Sequence, residues 1–185
     1  MSTAELLSAQ PLQGPPGWTI RAWREADVPR LAALADDTAI GKWMSDTWPM
    51  PYTEADARWW VNEGQHVGRD RGALALAICL DDEPWGGAGL HPQTGFQRCN
   101  VEVGWWLAPA QWGQGVAAAA ARWLIGRCWQ LPQVHRIFAP IHAGNLRSMR
   151  VAEKAGMRLE SVQPRSAYKQ GRLIDRYLWA CYREA

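Results

Sequence analysis

Between Val103 and Ala152 the chain contains no aspartate or glutamate, although 18 acidic side chains lie elsewhere in its 185 residues. That stretch holds Arg122, Arg127, Arg136, Arg147 and Arg150 instead. Residues 1–102 carry 14 acidic and 8 basic side chains, and residues 103–185 carry 4 acidic and 12 basic, so a net charge of only +2 hides an uneven distribution. One reading is chance, with each charge on a solvated face. The other is an anionic ligand over the second half and a cationic one near the first. Basic runs with interleaved aromatics are missing and the pI is about 8.4, so no nucleic-acid partner is expected.

Other shortages narrow the class further. No apolar run approaches the about 20 residues of a membrane span, so no membrane partner is expected. The opening MSTAELLSAQPLQGPPGW has no charged segment followed by a long apolar one. It is expected to be a flexible arm over residues 1–18 rather than a signal peptide, followed by one domain over residues 19–185. Cys79, Cys99, Cys128 and Cys181 are widely spaced, with no CxxC, and read as reduced thiols of a cytoplasmic protein. His66, His91, His135 and His142 have no metal-ligand spacing, so no metal is expected. The length suffices for a core without either kind of staple.

What is present centres on VEVGWWLAPAQWGQGVAAAAARWLIGRC, residues 101–128. It reads as a strand, a glycine loop and a helix. Such a turn holds phosphates: helix-start N–H groups and the helix dipole favour an anion, and glycine lets the ligand approach. Around it lie a strand at Thr19–Arg24, a helix from Asp27 with Pro29 in its first turn, and a loop or short helix over Asp36–Pro51. Thr53 and Asp56 form a capping-box pattern for a helix through about His66. A hairpin follows over Gly72–Leu80 and Trp85–Leu90. After the alanine helix, stopped before Pro132, come a strand at Val134–Ile141 with Pro140 at its end or at a sheet edge, and a helix at Asn145–Ala155 closed by Gly156. Strands at Met157–Val162 and Leu173–Tyr182 flank a polar loop around Lys169–Gly171. The order β-α-α-β-β-β-α-β-α-β-β is that of an α/β protein with a mixed sheet.

Three phosphate ligands compete for the loop. A P-loop needs a Lys where this helix opens VAAAA. A dinucleotide fold fits Gly113-x-Gly115-x-x-Ala118, but the acid needed about 20 residues later for the ribose is missing. The third candidate is coenzyme A. WGQGVAAAAARW resembles the pyrophosphate loop [QR]-x-x-G-x-[GA] of the GNAT N-acetyltransferases. Gly115 and Ala117 match, and Trp112 stands where Gln or Arg is usual. W-G-x-G is similar to the RimJ/RimL-type branch, as are PYTEADA at 51–57, VEVGWWLAP at 101–109 and NLRSMRVAEKAGMRLE at 145–160.

The resemblance implies a GNAT fold, with a twisted mixed sheet of about seven strands flanked by about four helices, and acetyl-CoA as co-substrate. Transfer to a primary amine needs a neutral amine, oxyanion donors, help for the leaving thiolate and in-line approach. Glu102 shares a strand face with the small Gly104, and is either the general base or a carboxylate on a solvent face or in a salt bridge. As in the family, this strand is expected to bulge and splay, so that backbone groups near Trp106 and Leu107, with Trp112, Gly113, Gln114, Gly115, Val116 and Ala117, hold the cofactor. Asn145 is most simply an N-cap. The resemblance adds a coenzyme A contact for Asn145 and a role for Ser148 at the leaving sulfur. The tyrosine many relatives place seven residues after the Asn is Ala152 here. Most of the 13 tryptophans are expected in the core, with Trp43, Trp48 and Tyr168 as acceptor-side candidates. The acceptor stays open between peptide or protein N-termini and small-molecule amines, and a homodimer is a family-level expectation. A second reading is a non-catalytic acyl-CoA-binding sensor or interaction module on the same fold.

Overall fold

The computed structural model describes residues 10–184, so residues 1–9 of the expected arm lie outside the described residues. The rest of that arm is docked. A two-residue strand β1 (Gln10–Pro11) pairs with β2 (Trp18–Ala22), and Leu12 is buried. This short strand raises the expected seven strands to eight. The others are β3 (Leu74–Leu80), β4 (Glu83–Pro92), β5 (Asn100–Leu107), β6 (Arg136–His142), β7 (Arg158–Lys169) and β8 (Arg172–Tyr182). They form one sheet in the order β1-β2-β3-β4-β5-β6-β8-β7. Every pairing is antiparallel except β5–β6.

Among the described residues five α-helices flank the sheet, one more than the about four expected. They are α1 (Val28–Ala35), the single turn α2 (Thr38–Gly41), α3 (Glu54–Asn62), α4 (Val116–Cys128) and α5 (Leu146–Lys154). The Thr53–Asp56 capping box opens α3 as the pattern foretells. The helix ends at Asn62, four residues short of expectation. Gly64 then packs so closely on Trp60 and Trp59 that a Cβ there would lie 2.6 Å from the Trp60 ring. Two cores result. One side of the sheet covers Leu76, Ile78, Val101, Val103 and Ile137 with α4 and α5. The other covers Ala77 and Cys79 with α1 and α3. Ala118 to Ala121 are all buried, so α4 lies close on the sheet.

The expected polar loop around Lys169–Gly171 is instead a tight hairpin. Gln170 and Gly171 both have positive φ (47° and 78°), the backbone of a two-residue turn between right-twisted strands. β7 is an edge strand exposed along much of its length, so its polar sequence imitates a loop. Among the described residues, no helix is long and apolar enough to cross a membrane.

Candidate active site

The site begins where the sheet parts. β5 and β6 pair at Asn100–Arg136, Val101–Ile137 and Glu102–Phe138, and no further. Beyond that point β5 stays with β4 as far as Leu107, and β6 stays with β8 as far as His142. A chemical stop stands there. The Arg136 N–H donates to the Cys99 carbonyl at 3.2 Å, and the two-residue step of a parallel ladder makes residues 138 and 140 the next donors. Residue 140 is proline, which has no N–H. The strands diverge around a cleft of about 410 Å³, walled by Gly104 and Trp105 on one side and by Ala139, Pro140 and Ile141 on the other. The expected splay is therefore present, but the expected bulge is not: β4 and β5 keep one register from Gly86–Leu107 to Pro92–Val101. The Ala108 N–H donates to the Trp85 carbonyl, so alternation along β5 turns the N–H groups of Trp105 and Leu107 toward the opening.

Glu102 is the last residue of β5 paired with β6, at the closed apex of the cleft and outside its lining. Among the described residues, no hydrogen bond or ion pair reaches its carboxylate, which disposes of the salt-bridge reading. Burial pushes its pKa up from the ordinary carboxylate value, against the smaller opposing influence of His91 and Arg176. Gly104 is the next residue on the same face, and a Cβ there would meet nothing within 4 Å.

At the far end of β5 the chain turns into the glycine loop. Gly113 (φ 84°) and Gly115 (φ 82°) take left-handed conformations, and added Cβ atoms would project into open space. Gly115 is the N-cap of α4, whose first N–H groups have no carbonyl partner within the helix. The Trp112 indole N–H donates to the Leu107 carbonyl at 2.7 Å, and the Arg147 guanidinium lies 4.5 Å above its ring. Trp112 thus ties the loop to the strand as well as walling the cleft. Val116 and Ala117 line the cleft; Gln114 does not, and bonds to Gln111, which does.

The Asn145 side-chain oxygen accepts from the Ser148 N–H at 3.2 Å, the N-cap geometry expected of it. The Ser148 side chain lines the cleft, and its hydroxyl has no partner among the described residues. Ala152, on the inner face of α5, is fully buried. Arg147, Arg150 and Lys154 also line the cleft, so part of the acid-free, arginine-rich stretch does converge on one site. Arg136 does not; it pairs with Glu160. His142 was missed by a search for metal spacing. Its signal was alternation in β6, which sets it on the same face as Phe138 and Pro140. It lines the cleft with its Nδ1 buried and unpartnered, and burial, then Lys169 and Arg176, lower its pKa.

The aromatic candidates separate. Trp43 lines the cleft. Trp48 does not: its indole donates to the Ala35 carbonyl at 3.2 Å, and its ring packs on Tyr52 and Trp106 in the second core. The Trp106 ring stacks on Trp23 with centroids 6.4 Å apart, so it meets the cleft mainly through its backbone. Tyr168 is exposed near the β7–β8 turn, outside the lining. Among the described residues, no three His, Cys, Asp or Glu side chains converge as metal ligands.

A mixed sheet that parts along the parallel β5–β6 pairing, with a glycine-capped helix on one lip and an unpartnered carboxylate at the apex, fits a group-transfer enzyme. The family model described as "Acetyltransferase (GNAT) domain" matches residues 18–158, and the chain belongs to that family of N-acetyltransferases. It is 27% identical to "Uncharacterized N-acetyltransferase YnaD" of Bacillus subtilis, over 80% of this chain and 89% of that one. It is 36% identical to the Bacillus subtilis protein YkkB, in a match spanning 54% of this chain and 59% of YkkB. The structure of Mycobacterium smegmatis RimJ in complex with a coenzyme A disulfide superposes with a TM-score of 0.83 at 25% identity, covering 94% of this chain and 86% of that one.

Two outcomes are expected of this geometry. Gly115→Val places a branched side chain in the cleft at a left-handed position, and should weaken coenzyme A binding at least about tenfold by calorimetric titration. Unchanged affinity contradicts the loop's role. Glu102→Gln should raise stability at pH 8. The folded-state pKa of Glu102 lies above its unfolded value, so stability is complete below about pH 4 and is lost as pH rises through the folded pKa. Urea denaturation should find the variant more stable than wild type at pH 8, with the gap closing toward pH 4. A variant less stable at pH 8 contradicts an unpartnered carboxylate.

Proposed function

We propose that the protein transfers an acetyl group from acetyl-CoA to a primary amine by direct attack, with Glu102 as general base. The observation that carries this reading is the position of Glu102: a desolvated carboxylate without a partner, at the apex of the opening between β5 and β6. A carboxylate with a raised pKa is a stronger proton acceptor than an exposed one, which suits a base for an ammonium group.

Acetyl-CoA supplies the activated thioester and an anionic pyrophosphate. The chain fits the second through the open left-handed glycines, the first N–H groups of α4, and the cations Arg147, Arg150 and Lys154 along the cleft. The N–H groups of Trp105 and Leu107 face the opening as donors for the thioester carbonyl. Ser148 offers a hydroxyl to the leaving sulfur and Asn145 fixes the helix turn that aims it. With no tyrosine at position 152, Ser148 serves as a hydrogen-bond donor to the thiolate. Glu102 accepts the ammonium proton directly or through a water, the neutral amine attacks in line, and the second proton shed by its nitrogen as the C–S bond breaks goes to the leaving thiolate. The resemblance of the sequence motifs to the RimJ/RimL-type branch favours the N-terminal amine of a protein or peptide as acceptor. Unpartnered Glu102 and Ser148 both favour the catalytic reading over a binding-only module.

Glu102→Gln should lower kcat by about 100-fold or more while leaving the dissociation constant for acetyl-CoA within about twofold. The acid-side limb of the kcat/KM profile, where Glu102 is protonated and inactive, should disappear with it. Wild-type turnover in the variant removes Glu102 from the base role.

A further inference from the structure

Beyond Glu102, on the same face of the sheet, stands a guanidinium that neither the cofactor nor the base uses. Arg176 is the β8 partner of His142, and its charge reaches both His142 and Glu102. It is partly buried. Arg21, Arg30 and Arg136 are neutralised in place, by Asp27, Glu83 and Glu160. Arg183 donates to three backbone carbonyls. Arg176 meets only neutral side-chain oxygens. Its Nε donates to the Ser166 hydroxyl at 3.2 Å and one terminal nitrogen to the Gln163 amide oxygen at 3.4 Å. The other terminal nitrogen has no partner among the described residues.

The support for this side chain is built. β7 slips register between Gln163 and Ala167, and within the slip Arg165 has a positive φ of 51°, a conformation that disfavours a non-glycine residue. The Arg165 N–H is pinned by the Asp175 carboxylate at 2.8 Å. Gln163 is the cross-strand partner of Arg176, and the irregularity adds Ser166, so local strain is spent on orienting a guanidinium whose charge is left open. The neighbouring cation Lys169 already has a carboxylate, Asp46 at 3.2 Å. A partly buried guanidinium held by neutral oxygens is a receptor for a planar anion.

We infer that Arg176 is a specificity-determining residue, and that the preferred acceptor carries a carboxylate within a few bonds of its reacting amine. This rests on the acetyl-transfer reading above. The ammonium end faces Glu102 and the carboxylate end meets Arg176. The same chemistry arises from the α-carboxylate of a free amino acid or from an acidic side chain near a peptide N-terminus.

The test uses two matched acceptor pairs: alanine against alaninamide, and the peptide amides Ala-Asp-Gly against Ala-Asn-Gly. For each, kcat/KM and acceptor binding in the presence of coenzyme A are measured for the wild type, Arg176→Gln and Arg176→Lys. In at least one pair the wild type should favour the carboxylate member, and Arg176→Gln should cut that preference on the order of tenfold, mainly through KM. The neutral member and acetyl-CoA binding should change less than about twofold, and Arg176→Lys should restore part of the preference. The pair that responds identifies the source of the carboxylate, and the ratio between variants cancels differences in amine basicity. Equal losses for both members, or an unaltered preference, overturn the inference in favour of a purely structural arginine. Absence of turnover with every amine overturns the acetyl-transfer reading alone, because the binding titrations still decide the role of Arg176.

Discussion

One missing hydrogen-bond donor organises this protein. The parallel ladder between β5 and β6 can advance only while each alternate residue of β6 presents an N–H, and at position 140 there is none. The ladder stops one pair after Val101–Ile137. Each strand stays fastened on its other side, β5 to β4 and β6 to β8, so the sheet opens as a wedge rather than fraying. The cleft, the outward-facing amides of Trp105 and Leu107, and the place of Glu102 at the apex all follow from that divergence. The β4–β5 pairing needs no bulge to achieve it.

The charges are arranged about the same wedge. The α4–α5 side supplies glycines, helix-start N–H groups and cations, with no carboxylate of its own between Val103 and Ala152. Glu102, Asp46 and Arg176 are grouped on the opposite side, where burial rather than pairing sets the state of Glu102. Trp112 couples loop and strand mechanically: its indole occupies the Leu107 carbonyl, which fixes the end of β5 relative to the start of α4.

Much of this was legible in the residues because it depends on local rules. The capping box at Thr53–Asp56, the N-cap at Asn145 and the glycine turn before α4 are short-range signals, and each reappears in the structure. Pro140 was visible as the mark of a strand end or sheet edge, but its larger effect requires knowing which strand lies beside it. The failures share a cause. The second half of β7, beyond Val162, reads as loop because an edge strand shows little apolar alternation, and the Gln170–Gly171 turn lacks the usual Asn-Gly or Asp-Gly. Trp43 and Trp48 are indistinguishable by type and by neighbourhood in the chain, yet one lines the cleft and the other fills a core. His142 and Arg176 carry chemistry only through cross-strand pairing, which no single segment announces.

The most direct test of the wedge as the binding site is an amide-resolved NMR titration of the 15N-labelled protein with coenzyme A. Saturable shifts are expected at Trp105, Leu107, Gly113 and Gly115, with the amides around Trp23 and Tyr52 in the opposite core nearly unmoved. Shifts concentrated around α1 and α3, or none at saturating ligand, would contradict the assignment of the opening between β5 and β6 as the cofactor cleft.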